Sequence, residues 1–334
     1  MSSALEFAMN YESLPLSKRF DLKGTNNMTR RNVIGKDEDP DLSSLAGYVN
    51  SNNYNIVDPD TGFTPLINAS IDGKIPIVRV LLDRGADLEY REGTRLRSAL
   101  ILAAQYGQHA VVEHLLYRGA MVNRTDKYDM TALMHASKEG HFQSVIHLMN
   151  RGALMNISDE KGYNALHYAA RSGHKEILDY LVEAGGAVEI RDTIPDEGKT
   201  ALHLAAQYAR NECVKLLLEK GAKVNRRSSV QKVTALMLAC KEGNKSTASI
   251  LLSLGADSNL VDIYGWSALH FTASWNRKDT TLILIVEGNA NVNSRENDIS
   301  NMKDKQELKE IRHRNKKRKP WEELEVYFYS IFYN

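Results

Sequence analysis

The string TALHLAA begins at Thr200, and six other strings along the chain repeat its pattern of a hydroxyl or amide residue, a leucine two positions later and two small residues at the end. The strings start 33 to 36 residues apart. A fixed period of this size is typical of proteins that stack copies of one structural unit. The other six are TPLINAS from Thr64, SALILAA from Ser98, TALMHAS from Thr131, NALHYAA from Asn164, TALMLAC from Thr234 and SALHFTA from Ser267.

The fourth copy shows what one unit is. Asn164 is of a residue type that caps helix starts, and Leu166 and Ala169 follow at helical spacing. This spacing predicts a short first helix with a face of small residues.

A second apolar run follows within the same unit. Gly173 interrupts the first helix, and Ile177, Leu178 and Leu181 then recur at helical intervals. Gly186 is the residue we expect to end this second, bulkier helix in a left-handed cap. One helix pair cannot bury its own apolar stripe, so neighbouring pairs must stack. The sequence therefore predicts an all-α solenoid of helix-turn-helix units joined by short extended turns.

The strings and their tails, such as VKLLLEKGAKVN ending at Asn225, resemble the ankyrin-repeat family. That family repeats an Asp-Gly turn, T-P-L-H, two alanines, G-H, a leucine run and G-A-D-V-N. The chain departs from this pattern where Asp129 and Lys232 replace the turn glycine and where Ala209 and Asn276 replace the glycine in mid-repeat. We expect altered local turn geometry at these four positions.

The resemblance covers about residues 58–294, and the predicted organisation follows from it. Residues 1–40 are polar and without sustained periodicity, so we expect a disordered segment there. Residues 41–58 read as a degenerate half-repeat or cap, and residues 295–334 form a charged segment with a basic cluster and an aromatic end. The seven repeats occupy residues 59–91, 93–125, 126–158, 159–194, 195–228, 229–261 and 262–294.

The resemblance implies a binding surface on a concave face built from the turn tips and the first helices. Aromatic and cationic side chains in these slots are of the types that dominate protein interfaces. A tyrosine there could instead pack its ring on a neighbouring turn and expose only its hydroxyl. The predicted partner-binding residues are Phe63, Arg95, Arg97, Tyr106, Tyr128, Lys138, Tyr163, Arg171, Tyr208, Lys241, Tyr264, Trp266 and Trp275.

The C-terminal segment carries two further motifs. A basic run resembles a nuclear-import signal or a nucleic-acid patch, with a solvated helix end as the alternative. The following aromatic stretch places Leu324, Tyr327, Phe328 and Ile331 on one helical face, which predicts docking on the last repeat or on a partner. The cations of the basic run are Arg312, Arg314, Lys316, Lys317, Arg318 and Lys319.

Catalytic, metal and cofactor chemistry are not expected. His167, His203 and His270 occupy the T-P-L-H position, where the resemblance implies a hydrogen bond within the repeat. Cys213 and Cys240 fall at helical positions that hold small residues in sibling units, which favours packing over nucleophilic chemistry. We predict no catalytic residue, no metal, no cofactor and no small-molecule substrate.

Composition narrows the class of partner. The net charge of +1 gives no overall attraction to nucleic acid, and no apolar run is long enough for a membrane span. We therefore expect a cytoplasmic, non-enzymatic scaffold or adaptor that binds one or more proteins. Two alternatives stay open: a nuclear regulator that masks a transcription factor, and a substrate receptor or regulatory subunit of a ubiquitin ligase or other enzyme complex.

Overall fold

The computed structural model describes residues 53–185 and 198–291. Within these ranges the chain forms fourteen helices in seven pairs and no strand, so the predicted all-α solenoid is confirmed. The first helices of the pairs are α1 (Pro65–Ile71), α3 (Ala99–Gln105), α5 (Ala132–Glu139), α7 (Ala165–Ser172), α9 (Ala201–Gln207), α11 (Ala235–Glu242) and α13 (Ala268–Ser274). The second helices are α2 (Ile75–Asp83), α4 (His109–Tyr117), α6 (Phe142–Asn150), α8 (Lys175–Glu183), α10 (Asn211–Glu219), α12 (Lys245–Ser253) and α14 (Lys278–Val286).

Each first helix begins at the hydroxyl or amide residue that opens its string. This side chain accepts a hydrogen bond from the backbone N–H three residues later, at 3.1 to 3.4 Å in five of the repeats. The bond satisfies one of the free N–H groups at the helix start. The cap predicted at Asn164 is confirmed, and His167 completes it by accepting a bond from the Asn164 backbone.

The core lies between neighbouring pairs. First helices pack on first helices, from α1 on α3 through α11 on α13, and second helices pack on second helices from α2 on α4 through α12 on α14. Alanines such as Ala103, Ala136 and Ala169 are fully buried and let the first helices approach closely. Leucines such as Leu115 and Leu181 fill the space beside the second helices. Stability is then close to a sum over neighbouring interfaces.

The end of the second helix in the fourth repeat differs from the sequence prediction. Helix α8 ends at Glu183, and the left-handed residue is Gly185, with φ of 103°. The prediction that Gly186 provides this cap was therefore wrong. The sequence pattern could not distinguish between the adjacent Gly185 and Gly186, and the first of them ends the helix.

One side chain closes each of the six junctions between neighbouring repeats. The second helix of a repeat is preceded by a polar side chain that donates a hydrogen bond to a carbonyl at the end of the previous first helix, at 2.7 to 3.2 Å. These carbonyls lack a partner within their own helix. The donors are Gln108, His141, His174, Arg210, Asn244 and Arg277.

No helix in residues 53–185 and 198–291 is long and apolar enough to cross a membrane. The predicted segment at residues 1–40, most of the half-repeat at 41–58 and the C-terminal segment from 295 lie outside the described residues.

Candidate functional site

A carboxylate shapes the turn tips before several of the first helices. In repeats three, four and seven, one oxygen of Asp126, Asp159 or Asp262 accepts bonds from two backbone N–H groups of its own tip, at 2.8 to 2.9 Å. The second oxygen can also reach the first helix. It bonds His135 at 2.9 Å from Asp126 and the Tyr168 hydroxyl at 2.5 Å from Asp159. The tips are thus held rigidly on the helices that follow them.

The second repeat uses Glu92 for the same purpose. Its fully buried carboxylate accepts bonds from the Thr94 hydroxyl and the backbone of Thr94 and Arg95, and it pairs with Arg97 at 3.0 Å. Burial alone would raise the pKa of Glu92, but these donors outweigh it and lower the pKa to about 2. The tip therefore contains a permanent, buried ion pair at neutral pH.

Backbone bonds join successive tips into a row. The Lys127 N–H donates to the Arg95 carbonyl at 2.8 Å, and the Glu160 N–H donates to the Tyr128 carbonyl at 3.1 Å. A matching bond joins the sixth and seventh repeats, from Ile263 to Gln231. Side chains of adjacent tips are consequently displayed at a regular spacing.

Cations and aromatic rings meet across repeat boundaries at the ends of the first helices. The guanidinium of Arg171 lies 4.8 Å from the ring centre of Tyr208 in the next repeat. Lys241 lies 5.3 Å from the ring centre of Trp275, again one repeat further on. Such pairs attract because the ring face is electron-rich. The same contact between a cation and a ring of the next repeat thus occurs twice along the stack. Tyr208 remains 40% exposed and Trp275 remains 47% exposed.

The structure divides the predicted partner-binding residues by exposure. Six are exposed: Arg95, Tyr106, Tyr128, Lys138, Tyr208 and Trp275. Six are half-buried: Phe63, Arg97, Arg171, Lys241, Tyr264 and Trp266. One, Tyr163, is buried.

Tyr163 does not project to water as the sequence analysis expected. Its ring packs edge-on against Tyr168 at 5.9 Å and at a tilt over His167 at 5.8 Å, and the residue is 7% exposed. The position before the cap lies against the first helix of its own repeat, so a large ring there packs on that helix. Trp266 occupies the same position in the seventh repeat and packs on Phe271 at 5.5 Å. The prediction that Tyr163 is exposed for partner binding was therefore wrong.

The Arg97 side chain is also held by contacts within its own repeat. Its side chain is 11% exposed and is held by Glu92 and by the Gln105 side-chain oxygen at 3.3 Å. Arg97 was predicted from the sequence as a partner-binding residue. Its partner could have been identified from Glu92, which stands near the start of the tip where Asp58 stands in the first repeat.

The tips and first-helix ends of repeats two to seven expose an excess of positive charge. Counted from the first residue of each tip, the exposed and half-buried side chains include seven cations against four carboxylates, apart from Arg97, which pairs with Glu92, and the junction donors Arg210 and Arg277. The buried charges Glu92, Asp126, Asp159, Lys199 and Asp262 are not part of this count. Lys127, Lys161 and Lys232 were not predicted, although each stands in the tip that precedes a string. The cations are Arg95, Lys127, Lys138, Lys161, Arg171, Lys232 and Lys241, and the carboxylates are Asp129, Glu139, Glu160 and Glu242.

The histidines and cysteines behave as structural groups in the described residues. Nδ1 of His203 accepts a bond from the Thr200 backbone, and its Nε2–H donates to the Val233 carbonyl of the next repeat at 3.0 Å. Burial raises the pKa of the Cys213 thiol to about 11 and raises that of Cys240 further. Both thiols are buried and stay protonated at neutral pH.

Within residues 53–185 and 198–291, no cluster of three or more His, Cys, Asp or Glu residues that could hold a metal ion occurs. The predicted import signal at Arg312, Arg314, Lys316, Lys317, Arg318 and Lys319 lies outside the described residues.

Seven stacked helix pairs with projecting tips define the class: a helical repeat protein whose tips and first helices form one continuous surface. The family model described as ankyrin repeats (3 copies) matches residues 41–126, 100–194, 133–228 and 226–296. The chain belongs to the ankyrin-repeat family.

Similar proteins share single stretches of the repeats. Ankyrin repeat and SAM domain-containing protein 6 of Rattus norvegicus is 35% identical over 81 residues, which is 24% of this chain and 9% of that protein. Ankyrin repeat and KH domain-containing protein mask of Drosophila melanogaster is 44% identical over 68 residues, or 20% of this chain and 2% of that protein. The matches thus span less than a tenth of the length of these relatives.

Among solved structures, the human ASB11 ankyrin repeat domain is similar to this chain. The TM-score is 0.61 at 26% identity, and the match covers 67% of this chain and 98% of that domain. The likeness supports the fold and its use as an interaction module, since ankyrin repeats generally mediate protein–protein interaction.

Proposed function

We propose that the chain is a non-enzymatic scaffold or adaptor whose partner docks on the tips and first-helix ends, here called the first-helix surface. The observation that carries the proposal is the exposure of four aromatic residues on this one surface, three directly after first helices and one in a tip. Tyr106, Tyr128, Tyr208 and Trp275 are 53%, 41%, 40% and 47% exposed. Exposed rings of this size are costly in water unless a partner covers them.

The rigidity of the surface supports the same proposal. Carboxylates fix several tips, and a side chain across each described junction fixes one repeat on the next. A preorganised surface loses little conformational entropy when a partner binds. The rings and cations are therefore presented in a geometry that a partner need not induce.

Charge indicates the chemistry of the partner. Among the exposed and half-buried charges of the first-helix surface, seven cations against four carboxylates favour an acidic protein segment. Tyr208 and Trp275 each carry a cation over one ring face, so a partner would reach the ring edge and the cation together. The occupant we propose is an extended acidic segment with apolar side chains between its carboxylates.

The test is a quantitative affinity capture from cell extract with full-length variants. The variant Tyr106→Ala, Tyr208→Ala, Trp275→Ala should lose a partner that the native chain retains, and Lys138→Glu with Lys241→Glu should lose it too. Tyr117→Ala is the matched control, because Tyr117 is 64% exposed but lies on α4, a second helix. Equal capture by the native chain and the triple variant would contradict the proposal.

The nuclear and ligase-receptor alternatives stay predictions. The basic cluster that motivates the nuclear alternative lies outside the described residues. No contact in the described repeats favours either alternative over a general adaptor.

A further inference from the structure

A groove of about 590 Å³ lies between the last two described second helices, α12 and α14. Its apolar lining includes Ile250, Leu282, Ile283 and Val286. Leu282 is 48% exposed and Val286 is 76% exposed. Two large aliphatic side chains one helical turn apart therefore face water beside an open groove.

No other described repeat has aliphatic residues at both corresponding positions, and repeats four to six have polar residues at both. Leu282 and Val286 are the fifth and ninth residues of α14. Repeat six has Ser249 and Ser253 at these places, repeat five has Lys215 and Glu219, and repeat four has Asp179 and Glu183. Among the described second helices, only α14 has an aliphatic residue at both positions. The packing of helices within the stack does not require Leu282 and Val286 to be aliphatic, since the other repeats stack without two aliphatic residues at these positions.

We propose that the aromatic segment at residues 321–333 docks in this groove and closes the end of the solenoid. The helical face predicted from its sequence, with Leu324, Tyr327, Phe328 and Ile331, supplies an apolar surface that matches the apolar lining of the groove. Such docking would remove both apolar faces from water at once.

Charge complementarity supports this occupant. Asp279 and Glu287 line the groove, with Lys245 as the opposing charge, so its lining has an excess of carboxylate. The run immediately before the aromatic segment, residues 312–319, has six cations among eight residues. Only Pro320 separates this run from the aromatic segment, so docking of the segment would carry the cations toward a groove with excess carboxylate.

The length of the connection favours the chain's own segment over a separate partner. Residues 292–320 join the last described repeat to the aromatic segment, and about thirty extended residues reach roughly 100 Å. Groups tied by a flexible connection meet at an effective concentration that can approach the millimolar range. A separate protein would need a high affinity to displace the tethered segment.

Hydrogen exchange of the α14 amides tests the proposal in the full chain. Leu324→Ser with Phe328→Ser should raise the exchange rate of residues 278–287 by roughly tenfold, because the covering segment is lost. When Leu282→Ser and Val286→Ser are already present, the same change should add less than about twofold, because the two pairs act through one contact. Tyr117→Ser, an exposed site on α4, should leave α14 exchange unchanged.

Three outcomes would overturn the proposal. The Leu324 and Phe328 substitutions could leave α14 exchange unaltered, or they could act equally in both backgrounds. Light scattering could instead show a dimer of the native chain that Leu282→Ser and Val286→Ser dissociate, in which case a second copy fills the groove.

Discussion

At the residue scale, six non-glycine residues in the described chain hold the left-handed backbone conformation. Four of them are the departures from the family pattern, at which we had expected altered turns. Their φ values of 53° to 60° instead reproduce the conformation of the glycines they replace. The conformation costs about 1–2 kcal/mol for most side chains, and the surrounding bonds impose it. The six are Leu96, Asp129, Ala209, Lys232, Asn276 and Asn289.

Replacing Ala209 with glycine should therefore stabilise the protein. Ala209 is exposed with φ of 56°, so Ala209→Gly relieves strain and should raise the free energy of unfolding by about 0.5–1 kcal/mol after the entropy of glycine is subtracted. The matched control is Ala184→Gly, where φ is −73° and the same change should lower stability by a similar amount. Urea unfolding measures both. A loss of stability in both variants would refute the strain argument.

Glu92 is the second residue whose environment makes a measurable prediction. Glu92→Gln leaves Arg97 without its buried counter-charge, and we expect a loss of about 3 kcal/mol in the free energy of unfolding. Asp83→Asn is the control, because the Asp83 side chain is 62% exposed in its pair with Arg118 and should contribute little.

The same residue predicts a pH effect. Its pKa falls from 4.5 to about 2 on folding, so its stabilisation is complete above pH 4.5 and is lost as the pH falls toward 2. Between about pH 5 and pH 2 the native chain should lose stability more steeply than Glu92→Gln. Chemical denaturation across that range measures the difference, and parallel curves would contradict the assignment.

At the element scale, the junction side chains explain why a mid-repeat glycine is needed. A Cβ on Gly140 would lie 2.5 Å from the His174 ring, which crosses this glycine to reach the Lys138 carbonyl. In the fifth repeat Ala209 takes the glycine's place, and the junction donor of the next repeat is Asn244, a short side chain. The residue at the mid-repeat position is thus matched to the size of the junction side chain that crosses it from the next repeat.

Two glycine-to-alanine changes distinguish the stability lost through a clash with the crossing side chain from the stability lost through backbone strain. Gly152 also has a positive φ, at 83°, but nothing lies within 4 Å of its added Cβ. Gly152→Ala should cost about 1 kcal/mol, and Gly140→Ala should cost about 3 kcal/mol because His174 must also move. Thermal or urea unfolding compares them. Equal losses would show that the junction bond contributes nothing.

At the scale of the whole molecule, the sequence predicted contacts within one repeat better than contacts between neighbouring repeats. Caps and apolar faces repeat within one unit, so Asn164 and the Ile177 to Leu181 face could be predicted from their spacing alone. The bond from His174 to Lys138 depends on how neighbouring repeats are placed, which the period of one unit does not determine. The burial of Tyr163 comes with its ring contacts to His167 and Tyr168, which the position before the cap does not reveal. Gly185 and Gly186 are indistinguishable by pattern, and only the helix end separates them.

The stack as a whole presents two chemically different sides. The first-helix surface has exposed rings with cations across repeat boundaries, whereas the described second helices expose mostly charged and polar side chains, apart from Tyr117, Leu282 and Val286. The central claim is that the partner occupies the first side. Contact with the second side would place the functional residues elsewhere.

Hydrogen exchange of the complex with a captured partner tests this claim most directly. We predict protection at the tips and first-helix ends, around residues 104–108, 127–130, 206–210 and 273–277, with the second helices unchanged. Protection confined to second helices such as α4 and α10, with the first-helix ends exchanging as in the free chain, would contradict the account.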